Sequence, residues 1–82
     1  MGDSHEPWDE LEYRELFSRF PLTGPAPTGD AGTHLARRLG RSPGALIAQW
    51  DDARGYCRGS ESTSASDGLK TYLDTNGLCP PR

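Results

Sequence analysis

The sequence predicts an all-α protein, a three-helix bundle of the helix-turn-helix type with a short additional C-terminal helix. Three observations carry that expectation. Residues 33–50 read as a helix, a tight Gly-containing turn and a second helix. Residues 13–20 place Tyr13, Leu16, Phe17 and Phe20 at i, i+3, i+4 and i+7, one apolar stripe of an amphipathic helix. Near the C-terminus Leu69, Tyr72 and Leu73 repeat the i, i+3, i+4 spacing over a shorter stretch.

Residues 1–6 read as a flexible leader, polar and acidic, unlike the charged-then-apolar start of a secretory signal. Pro7 opens the first helix, expected at about 7–20, with Asp9, Glu10 and Glu12 near the positive end of its dipole. Pro21 ends it. Residues 21–32 hold three prolines and three glycines and are expected to form an exposed loop, long for a connection without structure.

The second helix is expected over 33–40, with Leu35, Ala36 and Leu39 inward and Gly40 as its left-handed close. Ser42 can cap the third helix and Pro43 suits its first position. That helix should run over 43–55, with Leu46 and Trp50 on one stripe. Residues 7–58 thus make the domain, and 59–67 form a polar, serine-rich linker expected to be mobile. The fourth helix, 68–76, takes Asp67 as N-cap and Asn76-Gly77 as stop. It is too short to stand alone and is expected to dock loosely. Residues 77–82 are a tail. Trp8, Leu16, Phe20, Leu35, Leu39, Leu46 and Trp50 are the expected core.

At 82 residues and 33% apolar content, with a mean hydropathy of −0.76, one domain with a limited core is all the chain can build. Its large aromatic side chains compensate by burying much area each. No run approaches the roughly 18 apolar residues of a membrane span, so the chain is expected to be cytoplasmic, at the nucleoid in a bacterium or nuclear in a eukaryote. The net charge of −3 is uneven: residues 1–30 carry −5, whereas 33–50 hold three arginines and no acid. A nucleic-acid site therefore belongs on that local patch.

Trp8, Leu16, Phe20, Ala36, Leu46 and Trp50, together with the Gly40-Arg41-Ser42 turn, resemble the Myb/SANT repeat over about residues 7–55. The resemblance implies three helices in which the tryptophans opening the first and closing the third meet in the core. It also implies base-reading positions six and seven residues after the turn arginine, here Ile47 and Ala48. The long, proline-rich connection between the first two helices departs from the family pattern. Asp51 and Asp52 also stand where DNA-binding relatives place basic or amide side chains, and they would meet phosphates badly.

Other chemistry finds little footing. Cys57 and Cys79 flank the linker and fourth helix, and a disulfide between them would staple that helix to the third. In a reducing cytoplasm that bond is not expected. With His5 and His34 they offer four zinc donors, but no pair has zinc-finger spacing, so no metal or other cofactor is expected. Ser42 lacks a base and no glycine-rich phosphate loop follows a strand, so an enzyme is not expected.

The expected function is that of a small DNA-binding protein, a regulator of transcription or of another DNA transaction. The third helix would enter the major groove of double-stranded DNA while arginines hold phosphates. The candidate DNA-binding residues are Arg37, Arg38, Arg41, Ser42, Gly44, Ala45, Ile47, Ala48, Gln49 and Arg54. The alternative is a SANT-like protein-interaction module, with Ile47 and its neighbours as an apolar patch for a protein partner.

Overall fold

The computed structural model describes residues 8–59 and 65–79. Four helices account for its order: α1 (Glu10–Arg19), α2 (Gly29–Leu39), α3 (Pro43–Cys57) and α4 (Asp67–Asn76). No strand occurs among the described residues. The leader 1–6, most of the linker and residues 80–82 of the tail lie outside them.

Each helix starts on a local signal. Asp9 caps α1 through a reciprocal box: its carboxylate accepts the Glu12 N–H at 2.9 Å, and the Glu12 carboxylate accepts the Asp9 N–H at 3.1 Å. That box starts the helix at Glu10, later than the expected 7. Ser42 Oγ accepts the Ala45 N–H at 3.2 Å and begins α3 at Pro43, as expected. Ser66, not Asp67, caps α4, accepting the Leu69 N–H at 3.3 Å. Gly40 and Gly77 close α2 and α4 with φ of 71° and 60°, the left-handed region that glycine enters without steric cost.

The expected 21–32 loop is shorter than its composition suggests, because α2 begins at Gly29 instead of 33. Thr28 is extended, and Pro27 is buried beneath the first turns of the helix. Gly32 is buried against the Pro27 carbonyl, so close that a Cβ there would collide with it. Here glycine serves close approach inside a helix. Composition alone reads it as a helix breaker.

The centre of the fold is α3, which packs on each of the other three helices and most extensively on α2. Leu46, Trp50 and Ala53 form its buried stripe. Around them gather Tyr13, Leu16, Phe17, Leu22, Leu35 and Ala36. The buried indole of Trp50 donates to the Phe20 carbonyl at 2.9 Å, so its one polar group is satisfied. Of the expected core, Leu16, Leu35, Leu46 and Trp50 are buried, whereas Trp8, Phe20 and Leu39 are half-buried at its margin. Trp8 stacks on Tyr13, with ring centroids 5.7 Å apart, instead of meeting Trp50.

Two expectations about the C-terminal region fail together. The fourth helix is not loosely docked: Leu69 and Leu73 are fully buried in the common core, which makes a four-helix core instead of three plus one. Cys57 and Cys79 are joined by a disulfide, with Cα atoms 5.1 Å apart. The Leu78 N–H bonds the Leu73 carbonyl at 3.1 Å, so the tail is anchored at least as far as Cys79. Tyr56 donates to Asp74 at 2.9 Å and adds a polar tie between α3 and α4. The reason is spatial: α4 covers apolar surface of α1 and α3 that would otherwise be wet, and docking it brings the two cysteines together. No helix among the described residues is long and apolar enough to cross a membrane.

Candidate nucleic-acid interface

The candidate residues divide according to which face of α2 and α3 carries them. Leu46, Trp50 and Ala53 point inward, so helical geometry turns Gly44, Ala48 and Asp51 outward, and Gly44, Ala48 and Asp51 are exposed. Ile47 and Arg54, seven apart, share one shoulder of α3; Ala45, Gln49 and Asp52 share the other. Ile47 and Ala45 are half-buried. On the neighbouring helix Arg37 and Arg38 occupy the exposed last turn of α2, where they also complement the negative end of its dipole.

The side chains are not equally available to a ligand. Arg37 makes no ion pair among the described residues, and exposed Arg38 only approaches half-buried Glu15, at 3.9 Å. Arg54 is exposed, with its guanidinium 5.4 Å from the Trp50 ring centroid, a placement that leaves its edge open to an anion. Ser42 spends its hydroxyl oxygen on the cap of α3.

Arg41 is placed differently from the expected phosphate contact. Its Nε and Nη2 donate to the two Glu12 carboxylate oxygens at 2.7 and 2.8 Å, a bidentate pair. The two side chains are only 9% and 16% exposed. The Arg41 guanidinium also lies 5.0 Å from the Trp8 ring centroid. The pair clamps the start of α1 to the turn between α2 and α3. The hydrogen bonds from Arg41 hold the Glu12 carboxyl below the usual carboxylate range, against the upward push of burial.

Gln49 departs from expectation as well. Bidentate recognition of adenine needs both ends of the carboxamide. Its Oε1 is buried and makes no hydrogen bond among the described residues. Asp52, half-buried beside Asp51, has its carboxyl pushed up, first by burial and then by the neighbouring charge. The acidic pair therefore sits where a phosphate would be repelled, one turn beyond Ala48.

Glu12 is the functional neighbour that sequence reasoning missed. Its spacing from Asp9 announces the capping box, but its pairing with a residue 29 positions away has no local signal. No cluster of His, Cys, Asp and Glu suited to a metal occurs among the described residues. No protein-family model matches this chain, and no curated protein or solved structure matches it either.

Proposed function

We propose that this domain binds double-stranded DNA as a helix-turn-helix module of Myb/SANT-like pattern, with the N-terminal half of α3 entering the major groove. One observation carries the reading: exposed Arg37 and Arg38 at the end of α2 stand next to the start of α3, whose outward residues Gly44 and Ala48 are too small to hold the helix away from a groove. In this docking mode the first turns of the recognition helix approach the base edges. That places Gly44, Ala45, Ile47 and Ala48 at the DNA and leaves Asp51 and Asp52 beyond the groove contact. Arg37, Arg38 and Arg54 hold phosphates, and Ile47 offers an apolar contact to a thymine methyl. Regulation of transcription or of another DNA transaction follows from such binding.

A second reading rests on Asp51 and Asp52. Two carboxylates on α3, with Asp51 one turn from Ile47, suit a protein partner with basic and apolar groups better than a polyphosphate. One experiment separates the two: amide-shift titration with a mixed-sequence duplex at low salt. DNA binding gives shifts centred on 37–48, and an Arg37→Glu, Arg38→Glu double variant abolishes them. Log affinity should fall with log salt at a slope of roughly −2 to −3, about 0.9 for each of three phosphate contacts. An absence of shifts at millimolar duplex retires the DNA reading in favour of a protein partner.

A further inference from the structure

An open cleft of about 260 Å³ lies between the start of α1 and the outer side of α4, lined by Trp8, Glu10, Tyr13, Thr71, Tyr72 and Thr75 among others. A row of aromatic rings runs along it. Trp8 stacks on Tyr13 at 5.7 Å between centroids, Tyr13 meets Tyr72 at 5.3 Å, and Phe17 backs Tyr72 at 6.3 Å. Thr71 and Thr75, four apart on α4, are both exposed and set two hydroxyls one turn apart along the cleft. At the rim stands Glu10, whose side chain is 71% exposed and meets only an equally open Arg14 at 3.8 Å. No lysine or arginine lines the cleft among the described residues. Its charge is therefore negative and its walls are apolar with hydroxyls.

These features constrain the occupant. The volume is below the roughly 300–1,000 Å³ typical of pockets that enclose a small molecule, so it fits a few side chains of a peptide. Aromatic walls accept flat pyrrolidine rings, and a polyproline II backbone leaves every carbonyl free to receive a hydroxyl proton. The Glu10 carboxylate has only the exposed and long contact with Arg14, which a peptide guanidinium can replace with a bidentate bond while stacking on an aromatic face.

We propose that the α1–α4 cleft docks an extended, proline-rich peptide segment carrying an arginine, with its prolines against Trp8 and Tyr72 and its guanidinium on Glu10. The cleft uses neither α2 nor the outward face of α3, so it is a separate site from the surface proposed for DNA.

The test is a titration of the disulfide-intact protein with a synthetic, acetylated and amidated Pro-Pro-Arg-Pro-Pro peptide. Signals of Trp8, Thr71, Tyr72 and Thr75 should shift, with Arg41 following through its contact with Trp8, whereas those of residues 33–39 and 44–48 should stay in place. Glu10→Gln should weaken binding about two- to fivefold, the scale of one exposed ion pair. Thr71→Arg places a cation in the cleft from an exposed position. It should weaken binding about tenfold or more, with an unchanged melting temperature. A peptide with glutamate in place of arginine should bind worse than the parent. Equal binding of the two peptides, shifts centred on α2 and α3, or no shifts at millimolar peptide would each overturn the proposal.

Discussion

The α2–α3 pair and the α4 helix share one core but are held to it by different means. The pair is joined by a three-residue turn, and its contacts come from residues close in sequence. Leu35 and Ala36 meet Leu46 and Trp50 across a turn that Gly40 closes and Ser42 restarts. By contrast, α4 returns to the core after a polar stretch and holds on through Leu69, Leu73, the Tyr56–Asp74 hydrogen bond and the Cys57–Cys79 disulfide. Short loops cost little closure entropy, whereas longer ones need an additional tether. The first region is therefore secured by its own sequence pattern and the second by long-range contacts.

The largest effect should come from Trp50→Ala, because α3 belongs to both regions. Removing a fully enclosed indole and orphaning the Phe20 carbonyl should cost about 3–5 kcal/mol, a large share of the stability of so small a domain. Chemical denaturation followed by far-UV circular dichroism measures it. A variant that melts like the parent would mean that the core is centred elsewhere.

Next in size is the disulfide, which spans a sequence separation of 22 residues and should contribute about 3 kcal/mol by restricting the unfolded chain. Thiol titration of the native protein should find no free cysteine. In a Cys57→Ser, Cys79→Ser double variant, hydrogen exchange should accelerate at Leu69 and Leu73 well before Leu35 and Leu46. Equal acceleration in both regions would mean that α4 and the α2–α3 pair open as one unit.

The clamp between Arg41 and Glu12 should follow. Arg41→Ala leaves a nearly enclosed carboxylate without its partner. The cost should be about 2–3 kcal/mol, somewhat below the ~3–5 kcal/mol seen for fully buried pairs. The pair also sets an acid dependence. Because the folded state depresses the Glu12 carboxyl, its stabilisation is complete above the ordinary carboxylate range and is lost as pH falls through the lowered value. Stability curves of the parent and of Arg41→Ala should converge in acid. Parallel curves down to the acid limit would assign the clamp no role in the pH response.

The smallest effects should come from the two serine caps. Ser42→Ala and Ser66→Ala should each cost about 1 kcal/mol in thermal melts. The first should loosen the start of α3, whereas the second should raise exchange only within α4. An effect of Ser66→Ala that spreads to α3 would show that α4 is less separable than its tether suggests.

The sequence by itself determined the helices and most of the inward faces. Periodicity exposes Leu16, Leu35, Leu46 and Trp50 because a helix repeats its face every three to four residues, and Gly40 and Ser42 mark chain reversal with chemistry that acts within one turn. It also located the exposed arginines Arg37 and Arg38, since exposure on an amphipathic helix follows from the same period. Three features were decided only by tertiary structure. Position 32 of α2 takes glycine because the Pro27 carbonyl leaves no room for a side chain, a close approach that composition reads as a loop. Arg41 turns away from the surface because Glu12, 29 positions earlier, comes within hydrogen-bonding reach once α1 packs on α3. Cys57 meets Cys79 because burying Leu69 and Leu73 brings the end of α4 back to the end of α3. Local signals fix φ and ψ over a few residues, whereas these three pairings depend on how separate segments share one limited core.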